Sequence, residues 1–211
     1  MSDGKGKDRR EKQPKNQIAS REARWAFLRR PPAFLDSIMI RFESPKILNL
    51  IGPYVKKGQV VADLGCGWGF YSFALADLVG PEGKVYSVDL SKNCIQTIQK
   101  KAVKGGYHNI KAFATTAAKL SFIKDRSVDF IFANGLLCSM AENRESAVNE
   151  MKRILKPGGQ AYISLGAAPP FGLVDEPEWE TILKGFAVEG GGNFKELWAM
   201  VSLKQIETQG I

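Results

Sequence analysis

An aspartate followed by glycines at alternate positions, Asp63-Leu64-Gly65-Cys66-Gly67-Trp68-Gly69, is the part of the chain best suited to holding a ligand. The apolar run Val60-Val61-Ala62 before it reads as a buried strand, and Phe70 to Leu78 after it as a helix. Glycines at such a turn let the backbone bend sharply and approach a ligand closely, because no Cβ intervenes. Ligands of open α/β sheets lie just outside the carboxyl ends of strands. The turn has no Gly-Lys-Ser/Thr, so it is not a P-loop. It also misses the Gly-x-Gly-x-x-Gly dinucleotide turn: the third glycine comes one residue early and Phe70 fills its place. Asp63 repels a pyrophosphate and suits a cationic amino group. A second acid, Asp89, ends the run Val85-Tyr86-Ser87-Val88, twenty residues past Gly69. A carboxylate at the tip of a second strand accepts ribose hydroxyls. Together the two acids describe a nucleoside that carries a cationic amino acid.

That ligand class is S-adenosylmethionine, and at these residues the chain resembles the class I S-adenosylmethionine-dependent methyltransferases. Asp63–Gly69 matches the family's first motif and Val85–Asp89 its second. Glu150-Met-Lys-Arg-Ile-Leu-Lys-Pro-Gly-Gly159 with Gln160–Ser164 matches a late helix-turn-strand, and the likeness runs over roughly residues 45–205. In general style it is similar to the ubiquinone/menaquinone-biosynthesis-like branch. The resemblance implies a Rossmann-like, doubly wound α/β fold. Its seven-stranded sheet would be mostly parallel, with a terminal antiparallel strand and helices on both faces.

The resemblance also implies roles for single residues. Gly65, Cys66, Gly67 and Gly69 would line the methionine part of the cofactor, with Phe70 following them. Asp63 would orient the ammonium, directly or through water, and Asp89 would hold the ribose, with Leu90 against the adenine. The family often has an acid ahead of a Leu-Pro-Phe-like segment; here Leu120-Ser121-Phe122 matches the apolar end and Thr116 stands at the acid position. The Thr116 hydroxyl or the backbone of Ala117 would then serve the adenine amino group. Asn134 and Gly135, after the fourth strand, would face cofactor or substrate. The segment Asn134–Ser139 lacks the Pro-Pro-aromatic run of methyltransferases that modify planar nitrogens. No catalytic residue is named, since a thiol, amine or stabilised carbanion needs no dedicated base. Any base would come from the leading helices or from Asp175, Glu176 and Glu178. His108, the single histidine, is expected in a loop away from the site.

Beyond Val60 the pattern alternates strand and helix, as in a parallel sheet. Expected strands are Ile110–Ala114, Val128–Ala133 and Ala161–Leu165, with an antiparallel pair at Phe186–Val188 and Leu197–Leu203. Expected helices are Lys92–Lys104, Ser146–Leu155 (ended by Pro157-Gly158-Gly159) and Glu176–Leu183. Ser91 is the expected cap of the first of these.

The net charge of +8 is uneven. Residues 1–30 hold ten Lys/Arg against four Asp/Glu, which leaves the remainder close to neutral. Residues 1–20 read as a basic, disordered arm and 21–56 as helices covering the cleft. Residues 57–208 read as the cofactor-binding domain. No apolar run is long enough to span a membrane and no secretory leader is seen, so a cytoplasmic protein is expected. Cys66, Cys94 and Cys138 are too scattered for a disulfide framework or a zinc site, and no metal is expected. The favoured function is methyl transfer to a small organic or lipid-like acceptor. Two alternatives stay open: an RNA or protein methyltransferase that uses the basic arm on residues 1–30, and a non-catalytic, cofactor-binding interaction protein.

Overall fold

The computed structural model describes residues 45–140, 142–165 and 174–204. The expected arm, residues 21–44 of the expected covering helices, and most of the loop before Asp175 lie outside the described residues. Residues 45–51 form helix α1. The chain then alternates through β1 (Val60–Leu64), α2 (Phe70–Val79), β2 (Lys84–Asp89), α3 (Lys92–Gly105), β3 (Ile110–Ala114) and β4 (Val128–Asn134). It continues through α4 (Arg144–Ile154), β5 (Leu155–Ser164), α5 (Glu176–Leu183), β6 (Phe186–Gly191) and β7 (Trp198–Leu203).

The seven strands form one sheet in the order β3-β2-β1-β4-β5-β7-β6. Neighbours from β3 through β5 are parallel, and β7 runs antiparallel to both β5 and β6. The fold is the Rossmann-like doubly wound sheet that the sequence implies. Strand order reverses between β1 and β4, so the crevice at their carboxyl ends is the natural ligand position.

Alternation of apolar side chains places a core on each face of the sheet. On one face Ile51, Leu75, Ile95 and Ile98 of the helices meet Val61, Val85 and Phe130 of the strands. On the other, Met151, Trp179 and Ile182 meet Leu64, Ile131 and Ile163. Central β4 is buried on both faces, with Phe130, Ile131 and Phe132 at most 1% exposed. Such strands read as near-continuous apolar runs, and Val128–Ala133 does so apart from Asp129.

Caps set the helix boundaries. The Ser91 side chain accepts the Cys94 N–H at the start of α3, as expected. At α5, Asp175 accepts the Glu178 N–H and Pro177 sits in the first turn.

One boundary departs from the expectation. Helix α4 starts at Arg144 and ends at Ile154, and β5 begins at Leu155, so Pro157-Gly158-Gly159 lies inside the strand span. Leu155 is fully buried and pairs with Val128, which pulls the chain into extended form before the proline. The extra residues form a bulge between Val128 and Phe130. Lys156 anchors it by donating to Asp129 at 2.6 Å.

Candidate functional site

The glycine turn is shaped by backbone geometry. Gly65, Gly67 and Gly69 all have positive φ, at 78°, 54° and 86°. The N–H groups of Gly65 and Cys66 both donate to the Val88 carbonyl, at 2.8 and 3.0 Å, which locks the turn to the end of β2. At Gly69 a Cβ would stand 2.6 Å from Ile98 Cγ1, so this glycine also permits the contact between α2 and α3. At Gly65 a Cβ would press on Leu136, 3.1 Å away, in the loop after β4.

Asp89 joins the turn to the next helix. Its Oδ2 accepts the Gly67 N–H at 3.0 Å and its Oδ1 the Ser91 N–H at 2.8 Å, and the residue is 4% exposed. Each carboxylate oxygen has a further lone pair, so the group retains capacity to accept hydroxyl donors. Thr115 N–H donates to the Asp89 carbonyl at 3.0 Å, which brings the Thr116–Ala117 segment beside the same strand end. Leu90 is half-buried there and Ala117 buried. The Thr116 hydroxyl oxygen accepts the Ala118 N–H at 3.3 Å, so it also supports its own turn.

This segment is clamped from α4. Glu150 accepts the Leu120 N–H at 2.6 Å. Arg153 donates to the carbonyls of Leu120 and Ile123 and to Glu150 and Asp125. Glu150 is held below the usual carboxylate range, chiefly by its bond from Arg153.

Asp63 turns inward. It is 2% exposed, and its Oδ2 accepts the Ser72 hydroxyl at 2.6 Å, while Ser87 donates to Ser72 at 2.9 Å. Burial pushes its pKa up from 3.8 to about 7; the Ser72 bond opposes this and the charge on Asp89 adds to it. A carboxyl poised near neutrality beneath the turn responds strongly to a cation placed above it.

Across the switch point, Ser164 Oγ donates to Asn134 Oδ1 in a short hydrogen bond. Gly135, at φ 66°, donates its N–H to the Ser164 carbonyl at 3.0 Å, and the Cys138 thiol donates to the Gly135 carbonyl at 3.1 Å. The structure thus places the expected site residues at the carboxyl ends of β1, β2 and β4 or in the turns after β1 to β4, except Phe70, which opens α2 and is exposed. His108 is exposed in the loop entering β3, at the opposite end of the sheet. Of the acids considered as bases, Asp175 caps α5 and Glu178 pairs with Arg144 at 2.9 Å.

Sequence reading missed two features. Ser72 and Ser87 hold Asp63, and only the packing of α2 on the strands reveals them. Trp68 sits between Gly67 and Gly69, and its Nε1 is buried with no hydrogen-bond partner among the described residues. A buried donor left so costs about 1–3 kcal/mol, a cost a ligand oxygen removes. That orphaned donor, the remaining acceptor capacity of Asp89 and the ionisable Asp63 fit a ligand with an amino-acid end and a ribose. The residues present therefore fit S-adenosylmethionine.

Comparison with known proteins agrees with this geometry. The family described as "Methyltransferase domain" matches residues 55–191. A demethylmenaquinone methyltransferase of Geobacillus stearothermophilus is 37% identical over 105 residues, covering 50% of this chain and 44% of that protein. One from Bacillus pumilus is 33% identical over 119 residues, covering 56% and 48%. The chain thus spans about half the length of the curated relatives it matches. Among solved structures, a SAM-dependent methyltransferase from Aquifex aeolicus superposes with a TM-score of 0.63 at 26% identity, covering 86% of this chain and 98% of that one. With the glycine turn, the two strand-end acids and the sheet order in agreement, the chain belongs to the methyltransferase domain family, as a class I S-adenosylmethionine-dependent member.

Proposed function

We propose that this chain transfers the methyl group of S-adenosylmethionine to a small organic or lipid-like acceptor. The observation that carries the methyl-transfer reading is the clasp of Asp89 on the Gly67 N–H at the carboxyl end of β2, with the buried Asp63 carboxyl on the neighbouring strand. The relatives named demethylmenaquinone methyltransferase support a lipid-like acceptor.

When bound, the cofactor supplies a methyl group already activated by the sulfonium charge. The chain's own task is to bind, align and shield. Asp89 would accept ribose hydroxyls, Leu90 would lie against the base with the Thr116 hydroxyl or the Ala117 backbone serving its amino group, and Gly65, Cys66, Gly67 and Gly69 would line the amino-acid end. Asp63 would ionise beside a bound ammonium. Holding two reactants in line accelerates reaction by removing orientational freedom, with no base in the described residues needed for a thiol, amine or stabilised carbanion. The thiols Cys66, Cys94 and Cys138 support a reducing, cytoplasmic setting.

The test is to incubate the protein with methyl-labelled S-adenosylmethionine and a cell extract, with Asp89→Ala as control, and to fractionate the label. Label in organic-soluble small molecules is expected. Label in nuclease- or protease-sensitive material instead would overturn the acceptor class.

A further inference from the structure

The near-neutral body conceals a strong separation of charge. Residues 90–124 contain seven lysines and no aspartate or glutamate. Residues 125–204 reverse the balance, with eleven acids against eight bases. The acid-free stretch is α3, β3 and the loop after β3, and β3 is the edge strand of the sheet. These elements carry lysines and no acid of their own, while Asp77 lies beside Tyr107 after α3, and Glu150 and Asp125 border the loop.

The lysines lie outward. Lys100, Lys101 and Lys104 are exposed on the last turns of α3, Lys111 is exposed on β3, and Lys119 and Lys124 are exposed on the loop. Lys92 adds a seventh exposed charge at the start of α3. Among the described residues, none of them is held in an ion pair. The helix dipole accounts for cations in the last turn of α3. It does not account for the lysines on β3 and on the loop.

Exposed apolar groups lie on the same elements, Val103 on α3 and Phe122 on the loop that packs on the other face of the sheet. Val103, set between Lys101 and Lys104, is 85% exposed, the highest value among the exposed large hydrophobic residues described. Phe122, on the loop, is 37% exposed, and one face of its ring already stacks on Phe113 at 4.1 Å. A nucleic-acid platform needs ring faces open to bases. Lysines around protruding apolar side chains suit the boundary between anionic headgroups and acyl chains instead.

We propose that the β3 edge of this protein is a docking surface for an anionic lipid bilayer. The preference for a bilayer over RNA rests in part on the lipid-like acceptor proposed above. The cluster of Lys100, Lys101, Val103 and Lys104 lies on the last turns of α3, at the end of the sheet opposite the glycine turn, and Lys92 lies at the crevice end. Each lysine near an anionic surface contributes on the order of fivefold in affinity, screened within a Debye length of about 8 Å at physiological salt.

The experiment is cosedimentation of the full chain with vesicles of phosphatidylcholine, alone or with phosphatidylglycerol, at low and high salt. The test variant carries Lys100→Glu, Lys101→Glu and Lys104→Glu. A second variant with Lys184→Glu, Lys195→Glu and Lys204→Glu makes the same change in net charge at the β6–β7 side, the far edge of the sheet. Thermal melts check that both fold. The expected result is salt-sensitive binding to the anionic vesicles only, at least about tenfold weaker for the edge variant and little changed for the second. Equal loss in both variants, no loss in either, or binding of a single-stranded RNA at concentrations where anionic vesicles are not bound would overturn the proposal. The assay needs no methyl acceptor, so its failure is distinguishable from failure of the lipid-like acceptor reading, which the labelled-extract experiment reports separately.

Discussion

The backbone N–H of Gly67 donates to Oδ2 of Asp89 across 3.0 Å, and this bond couples the glycine turn to the tip of the second strand. The other carboxylate oxygen takes the Ser91 N–H at 2.8 Å, so one side chain fixes both the turn and the start of α3. Asp89→Asn replaces an acceptor oxygen by a donor and must break one of these bonds. Its affinity for S-adenosylhomocysteine is expected to fall by roughly a hundredfold, in line with about 2–3 kcal/mol for a hydrogen bond to a charged group. Calorimetric titration of both proteins checks this, and an unchanged Kd would remove Asp89 from the cofactor site.

Gly69 tests packing and backbone together. Gly69→Ala puts a Cβ 2.6 Å from Ile98 Cγ1 at a φ of 86°. Gly106→Ala, at φ 72°, meets nothing within 4 Å and suffers only the backbone penalty, about 1–2 kcal/mol. Urea denaturation should show Gly69→Ala to be less stable than Gly106→Ala by a further 1–3 kcal/mol or so, the usual cost of overpacking.

Asp63 predicts a dependence on pH with a definite sign. Its pKa rises from 3.8 to about 7 in the folded chain, so the native state binds more protons than the unfolded chain between those values. The associated stability is fully present below the unfolded pKa and is lost as pH rises to about 7, by up to roughly 4 kcal/mol. Asp63→Asn should flatten the plot of stability against pH over that window. A cationic ligand prefers the ionised carboxyl, so cofactor affinity should rise with pH toward 7 and beyond in the native protein and stay level in the variant. Melting curves and titrations from pH 5 to 8 read both effects.

Trp68 separates ligand binding from folding. Its buried indole N–H has no partner among the described residues, so Trp68→Phe removes an unsatisfied donor and should leave stability without ligand unchanged or slightly raised. The same variant should bind S-adenosylhomocysteine about tenfold more weakly, the worth of one hydrogen bond. A loss of stability with unchanged affinity would mean that the ring serves packing alone.

The parallel part of the sheet is legible in the sequence because β1, β2 and β4 are mostly apolar segments with Asp63, Asp89 and Asn134 at or next to their carboxyl ends. Helix α5 is equally plain, since Asp175 and Pro177 mark its start. The start of β5 is hidden, because Pro157-Gly158-Gly159 reads as a helix stop while the pairing of Leu155 with Val128 is a nonlocal fact. The clamp of Arg153 on Leu120 and Ile123 is hidden for the same reason, its partners standing 33 and 30 residues apart in the chain. At the site, spacing brings Asp89 and the glycines forward, but the inward turn of Asp63 depends on Ser72 and Ser87, which no local pattern distinguishes.

The most direct measurement is a crystal structure of the full chain with S-adenosylhomocysteine. The account predicts ribose hydroxyls within hydrogen-bond distance of the Asp89 carboxylate and the adenine between Leu90 and the Thr116–Ala117 segment. It also predicts the amino-acid end along Gly65–Gly69, with Trp68 Nε1 donating to an oxygen of the ligand. A nucleoside bound elsewhere, or an Asp89 carboxylate without contact to the ribose, would contradict it.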